Sequence, residues 1–132
     1  SESLIPIAAG ENACTSFEFK KMFDAESVDY AQPSVTKVGG ITEFKKIYSL
    51  ADNYGVQVMP HSPYFGPGFL ATLHLSQSMP NPGLLERFFI DFEAYLYPEK
   101  TFNPKDGFFE ISDHIGLGID PDLDVIKDYR VK

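Results

Sequence analysis

The chain has 132 residues, which is enough for one domain or for part of a larger one. Hydrophobic residues make up 43% and charged residues 23%, as in an ordinary globular protein, and the net charge of −8 argues against nucleic acid or an anionic membrane surface as a partner. No apolar stretch approaches the ~20 residues that cross a bilayer. The single cysteine, Cys14, cannot form an internal disulfide, and no secretory signal is visible, so a cytoplasmic location is the default expectation.

Four short, mostly apolar runs are predicted as strands, and a reactive side chain follows each of them. The runs are residues 5–8, 28–32, 56–59 and 83–85, and the last belongs to the least distinct strand, around residues 84–87. They lead to Glu11, Ser34, His61 and Glu86, which are separated by 23, 27 and 25 residues. Each step is long enough for one strand and one helix. A parallel strand–helix repeat places the carboxyl ends of its strands on one side of the sheet, so the four side chains can share a pocket.

Helices are predicted between these strands. Thr15 or Ser16 can cap a first helix that runs to about Phe23. A second helix is predicted with Thr42 as its cap and with Gly55 closing it, because the apolar positions between them follow helical spacing.

The second half of the chain is less regular. A third helix over residues 69–75 is predicted to fade by Met79. From about Phe88 the repeat stops, and prolines and glycines indicate turns around a short extended piece at 108–111. Residues 122–129 are predicted to form a last short helix with an aspartate near its start.

Four parallel strands with helices packed outside form either a small open sheet or part of a closed barrel. Only residues 1–4 precede the first predicted strand. This abrupt start favours the interpretation that the chain is the second half of something longer.

Four motifs occur in this order along the chain: Gly10-Glu11-Asn12, residues 32–42 (QPSVTKVGGIT), Pro60-His61-Ser62 and Leu85-Glu86. Together they resemble the C-terminal part of the enolase superfamily. The likeness is greatest to the mandelate racemase / muconate lactonizing enzyme branch and, within it, to acid-sugar dehydratases and cycloisomerases. The tail motif Gly116-Leu117-Gly118-Ile119 is similar to the family's closing segment.

The resemblance implies an α/β fold that is the C-terminal part of a (β/α) TIM-type barrel. Residues 1–97 would supply the last four or so βα units. Residues 98–132 would be a tail returning to an α+β capping domain that is built from both chain ends. The first part of the barrel, with two of three metal ligands, would lie outside this sequence.

The family likeness also implies a Mg²⁺-dependent lyase or cycloisomerase that removes a proton α to the carboxylate of an acid sugar and stabilises the enediolate on the metal. Glu11 matches the third metal ligand, and oxygen ligands suit this hard cation. His61 matches the general acid/base, because imidazole can take and give a proton near neutral pH. The alternatives are a solvated acid at a strand end for Glu11 and a buried structural histidine for His61.

Ser34 departs from the family's pattern, because this position is commonly an Asp that pairs with the histidine. A serine offers a hydrogen bond but no charge, which argues against a strict mandelate-type racemase. Either an acid outside this chain replaces it, or His61 works with weaker support and mainly as an acid.

Three further residues are candidates for contact with the substrate. Glu86 matches a residue that hydrogen-bonds the substrate carboxylate as charge develops on it, and the alternative is a salt bridge with Arg87. Ser62 and Tyr64 follow His61 directly, where they either bind substrate hydroxyls or belong to a tight turn.

Three other interpretations stay open. The protein can be a racemase or epimerase of the same branch, an inactive barrel fragment that lacks its N-terminal half, or a free-standing open-sheet binding domain without Mg²⁺. The expected partners are a small carboxylate substrate, the missing N-terminal half of the same enzyme and further copies in a homo-oligomer.

Overall fold

The computed structural model describes residues 4–131, so the predicted lead-in before the first strand lies mostly outside the described residues. Three strands form one parallel sheet in the order β1-β2-β3: β1 Ala8–Ala9, β2 Tyr30–Ala31 and β3 Gln57–Val58. A helix follows each strand: α1 Ser16–Asp24, α2 Ile41–Asn53 and α3 Pro67–Gln77. The remaining chain holds a short 3₁₀ helix, Glu99–Phe102, and α4, Leu123–Asp128.

β2 and β3 lie within the predicted runs, and β1 overlaps only the end of its run, although each strand is only two residues long. Backbone hydrogen bonds extend the parallel pairing past the strand ends. The Gln32 N–H donates to the Ala9 carbonyl at 2.9 Å, and the Met59 N–H donates to the Ala31 carbonyl at 2.8 Å. The carboxyl ends of the strands therefore stay aligned at one edge of the sheet, which is where the predicted site residues begin.

The first strand was predicted to start at residue 5, and this expectation is wrong. The ladder begins at Ala8. Pro6 has no N–H to give to a ladder. Ile5 is 73% exposed and Ile7 38% exposed, so the apolar run before β1 faces solvent in the described chain.

The fourth predicted strand, at residues 84–87, is not formed within the part of the chain that the structure describes. The Glu86 N–H donates to the Pro60 carbonyl at 3.4 Å, and no ladder continues from this long bond. Gly83 still passes close to β3, since a Cβ at this position would lie 2.4 Å from the Val58 carbonyl oxygen. The segment therefore runs beside β3 with a single backbone bond.

The predicted N-terminal cap is correct for α1 and wrong for α2. α1 begins as predicted, because Thr15 Oγ1 accepts from the Glu18 N–H while the Glu18 carboxylate accepts from the Thr15 N–H at 3.0 Å. The prediction that Thr42 caps α2 is wrong. Gly40 occupies the capping position with φ of 103°, and α2 begins at Ile41. A glycine adopts this backbone conformation readily, and it provides no side-chain hydrogen bond to cap the helix.

The elements in the second half of the chain agree only partly with their predictions. α3 begins earlier than predicted because Pro67 fits the first turn of a helix, where its missing N–H costs nothing. The short extended piece predicted at residues 108–111 adds no strand among the described residues. Instead, Lys105 and Phe108 exchange two backbone hydrogen bonds across a tight turn. α4 is confirmed, with Asp122 accepting two N–H bonds as its cap.

A partly buried carboxylate joins α1 to α2 by hydrogen bonds. Glu43 accepts the Ser16 hydroxyl at 2.7 Å and the Ser16 N–H at 3.0 Å, and Lys46 lies 3.0 Å away. The side-chain hydrogen bond from Ser16, then its backbone bond, then Lys46 lower the pKa of Glu43 from 4.5 to about 2. The two helices are therefore joined by a carboxylate that stays charged over most of the pH range.

Two apolar clusters hold the fold together. The first lies between the helices and the sheet and includes the fully buried Phe19, Phe44 and Ile47. The second joins α3 to the tail and consists of Phe69, Leu70, Leu73, Tyr97 and Phe102, with partly buried neighbours. Burying each large side chain contributes roughly 1.5–3 kcal/mol, so the tail is attached to α3 by its aromatic residues. No helix in the range 4–131 combines the length and apolarity that a membrane span requires.

Candidate active site

A histidine–carboxylate pair lies just beyond the carboxyl end of β3. His61 Nδ1 is 2.6 Å from Glu86 Oε2, and the two side chains are 13% and 35% exposed. Because a carboxylate oxygen accepts and does not donate, the contact assigns the ring proton to Nδ1. Nε2 is then the nitrogen that is available to take a proton from a substrate.

Glu11 stands beside this pair at the end of β1. Its Oε2 is 3.7 Å from His61 Nδ1, and its side chain is 51% exposed. Asn12 donates its side-chain amide N–H to Glu11 Oε1 at 3.4 Å, while Lys37 Nζ donates to Asn12 Oδ1 at 3.2 Å. The Glu11 carboxylate is therefore held from one side and remains accessible from solvent.

The donor chemistry of Glu11 suits a hard divalent cation, which prefers carboxylate and water oxygens. Residues 4–131 contain no group of three or more His, Cys, Asp and Glu side chains that could hold a metal ion. Glu11 therefore fits as one ligand of a metal site, and the described residues do not supply a complete set of ligands.

Ser34 lies in a partly buried hydroxyl cluster next to the histidine. It is fully buried, and its Oγ is 2.7 Å from the Tyr64 hydroxyl and 3.0 Å from Thr36 Oγ1. The Tyr64 ring meets the His61 ring edge-on, with 6.2 Å between the ring centroids. Ser34 therefore supports the face of His61 through Tyr64, whereas Nδ1 of His61 is paired with Glu86.

Ser62 is buried next to the histidine. Its side chain is 1% exposed, and within residues 4–131 its Oγ has no hydrogen-bond partner. Buried hydroxyl groups almost always have a partner, so we expect a water molecule or a group outside the described residues to bond this one.

The structure brings Glu11, His61 and Glu86 together and places Ser34 with Tyr64 behind them. The pairing of Glu86 with His61 was not predicted, because the family resemblance points to position 34 for the partner of this histidine. The fourth segment was only a weak strand in the sequence, so its register against β3 could not be fixed in advance. The spacing of 25 residues from His61 to Glu86 was the one available signal.

Arg87 does not pair with Glu86 in the described part of the chain. Its Nε donates to the Phe102 carbonyl at 2.6 Å, and its Nη2 donates to Asn103 Oδ1 at 2.7 Å. The salt bridge considered between neighbouring Glu86 and Arg87 is therefore wrong. The arginine instead ties this segment to the tail, which sequence reasoning did not predict.

A large cleft of about 970 Å³ opens elsewhere, between α3 and the tail. Its lining includes His74, His114, Lys100 and Lys105. Glu11, His61 and Glu86 do not contribute to it. The cleft is therefore a separate feature on the tail side of α3, and the reactive groups lie at the strand ends.

The chain matches the family model described as enolase C-terminal domain-like over residues 1–125. A D-galactonate dehydratase from Xanthomonas oryzae pv. oryzae is 33% identical over 130 residues, which is 93% of this chain and 34% of that protein.

Two solved structures share both sequence and fold with this chain. A mandelate racemase/muconate lactonizing enzyme-like protein from Rubrobacter xylanophilus DSM 9941 is 30% identical, with a TM-score of 0.84 over 98% of this chain and 34% of its own. An enolase from Pantoea ananatis with bound D-gluconate and Mg is 30% identical, with a TM-score of 0.83 over 99% of this chain and 32% of its own.

The chain thus spans about a third of the length of the relatives that it matches. Its match to the family model covers nearly all of its residues. The chain therefore belongs to the enolase C-terminal domain-like family of the enolase superfamily, and its parallel strand–helix units are part of that family's (β/α) barrel.

Proposed function

We propose that the polypeptide carrying this chain is a Mg²⁺-dependent acid-sugar lyase, and that this chain is its C-terminal barrel portion. The observation that carries the proposal is the 2.6 Å contact between His61 Nδ1 and Glu86 Oε2, with the Glu11 carboxylate beside it. A dehydratase that acts on D-galactonate and a structure with bound D-gluconate and Mg are among the relatives. These names support an acid sugar as the substrate class and Mg²⁺ as the metal.

His61 is the residue that moves the proton in this proposal. Glu86 fixes the ring so that Nε2 accepts the α-proton of the substrate, and the C–H electron pair is delocalised toward the substrate carboxylate. The C–O bond at the neighbouring carbon then breaks, and the departing hydroxyl leaves as water after it receives a proton. A protonated His61 can supply that proton, so one residue on one face is sufficient.

Glu11 is the residue of this chain that would hold the metal, together with ligands from outside the described residues. When bound, a divalent cation stabilises the negative charge that develops on the substrate carboxylate. Glu11 also lies 3.7 Å from His61 Nδ1, so the metal ligand and the proton-transfer residue are close neighbours. This closeness fits the proposed chemistry, because the carboxylate that the metal would bind is attached directly to the α-carbon that loses its proton.

The hydroxyl cluster supports the choice of a lyase over a racemase. Ser34 brings no charge to the site, and its hydroxyl is already bonded to Tyr64 and Thr36. A racemase needs proton transfer on both faces of the α-carbon, whereas elimination of water needs one face for proton removal. Cycloisomerisation shares this one-face requirement, and detection of a 2-keto-3-deoxy acid as the product separates dehydration from it.

We also propose that residues 1–97 belong to the barrel and that residues 98–132 return to a capping domain. The tail adds no strand to the described sheet and packs on α3. It also leaves Phe108 76% exposed and Ile115 fully exposed, as expected of a surface that another part of the polypeptide covers.

The test uses the complete natural polypeptide that carries these residues. We expect it to dehydrate at least one member of a panel of six-carbon aldonates and aldarates that includes D-galactonate and D-gluconate. EDTA should abolish the activity, and Mg²⁺ should restore it. Racemisation or epimerisation without loss of water, or activity that is indifferent to EDTA, would overturn the proposal.

A further inference from the structure

The position of Glu86 depends on a segment with little backbone support. Its N–H makes one bond of 3.4 Å to the Pro60 carbonyl, and no strand is formed here among the described residues. The carboxylate nevertheless lies 2.6 Å from His61 Nδ1. Something other than sheet pairing must therefore hold Glu86 in place.

The next residue, Arg87, supplies an anchor with all three guanidinium nitrogens. Nε donates to the Phe102 carbonyl at 2.6 Å, Nη2 to Asn103 Oδ1 at 2.7 Å and Nη1 to the Phe88 carbonyl at 3.1 Å. The guanidinium also lies 3.9 Å from the centroid of the Phe89 ring. Two of these contacts cross to the tail, some 15 residues further along the chain.

Phe102 connects this anchor to the other member of the pair. It is 1% exposed and ends the 3₁₀ helix. Its ring centroid lies 5.3 Å from that of Phe65 and 5.4 Å from that of Phe69, which belong to the loop and helix after His61. One tail residue thus packs its ring on the loop and helix that follow His61 and accepts a hydrogen bond from the arginine beside Glu86.

We propose that Arg87 is a positioning residue: by bonding Phe102 and Asn103 it holds Glu86 against His61, so the tail sets the tautomer and orientation of the histidine. The effect on catalysis rests on the proposed function, whereas the effect on the hydrogen bond does not. Arg87 itself touches neither substrate nor reacting atoms. A lysine at this position would keep the charge but lose the planar fork that serves two tail acceptors at once.

Nuclear magnetic resonance of the complete polypeptide, with ¹⁵N-labelled histidine, tests the positioning role directly. The short bond to Glu86 should give a strongly downfield His61 Nδ1 proton, and Glu86→Gln should abolish it. We expect Arg87→Met to weaken or remove this signal and Arg87→Lys to preserve part of it. Arg130→Met is the matched control, because Arg130 is the other arginine of the chain and is exposed. An unchanged signal in Arg87→Met would overturn the inference.

Activity provides the second readout. We expect Arg87→Met to lower kcat by about 10²-fold, the cost of misplacing a catalytic group by roughly an ångström, with a smaller change in KM. Should Arg87→Met fail to fold, Asn103→Ala removes one anchoring bond and should weaken the signal and kcat in part. Full signal and full kcat in Asn103→Ala would then contradict the positioning role. Full activity in His61→Asn would instead refute the proposed function, whatever the resonance shows.

Discussion

Gly10 precedes the candidate metal ligand Glu11 and lies against the apolar core. Its replacement by alanine tests how closely the backbone at this position packs on Phe19. Gly10 has φ of 122°, a conformation that side chains rarely allow. A Cβ at this position would lie 2.6 Å from Cε1 of Phe19 and 3.3 Å from the Gln32 nitrogen. Phe19 is fully buried in α1, so its ring cannot swing away into solvent.

The expected cost has two parts. Holding alanine at a positive φ costs about 1–3 kcal/mol, and overpacking against the Phe19 ring adds about 1–3 kcal/mol. Gly39→Ala separates the two, because Gly39 has φ of 86° and nothing within 4 Å of its Cβ position. The free energy of unfolding of the Gly39→Ala variant should therefore fall only by the backbone cost of about 1–3 kcal/mol.

Urea unfolding of the complete polypeptide, followed by circular dichroism, measures both variants. We expect Gly10→Ala to be less stable than Gly39→Ala by about 1–3 kcal/mol. A Phe19→Leu change, which removes the clashing ring atoms, should recover part of the loss when combined with Gly10→Ala. Equal destabilisation by the two glycine variants, or strict additivity with Phe19→Leu, would refute the packing argument.

Three further predictions concern charge and local structure. The pKa of Glu43 lies at about 2 in the folded chain, below its ordinary 4.5, so its stabilising contribution is present above about pH 4.5 and lost as the pH falls through 2. The difference in free energy of unfolding between the wild type and Glu43→Gln should accordingly shrink from pH 5 to pH 2, and a constant difference would contradict this. Thr15→Ala should cost about 0.5–2 kcal/mol in the same urea assay, because α1 loses its capping box, and no loss would count against that cap. Glu11→Gln should raise the Mg²⁺ concentration needed for half-maximal activity at least tenfold, as titration after EDTA treatment would show, and an unchanged requirement would remove Glu11 from the metal site.

Local signals predicted the repeat well. Short apolar runs located β2 and β3 and the approach to β1, and the Thr15 to Glu18 capping pair set the start of α1. These features depend on residues close together in the sequence. α2 shows the limit, because the backbone of Gly40 replaced the expected cap at Thr42 and only the φ angle reveals this.

The arrangement of the site depends on contacts between residues far apart in the sequence, and residue spacing alone could not predict these contacts. The strand-end rule gathered Glu11, His61 and Glu86 on one edge of the sheet. It could not choose which of them bonds His61 Nδ1, since that depends on side-chain reach across β3. The anchoring of Arg87 on the tail was also invisible, because nothing local distinguishes an arginine bonded to a distant carbonyl from one in a salt bridge.

The most direct test of the central claim follows the α-proton of a substrate of the complete polypeptide in deuterium oxide. His61→Asn should abolish exchange of this proton with solvent, whereas His114→Asn, a change at an exposed histidine, should leave it intact. Undiminished exchange in His61→Asn would show that another group removes the proton and would contradict the role assigned to His61.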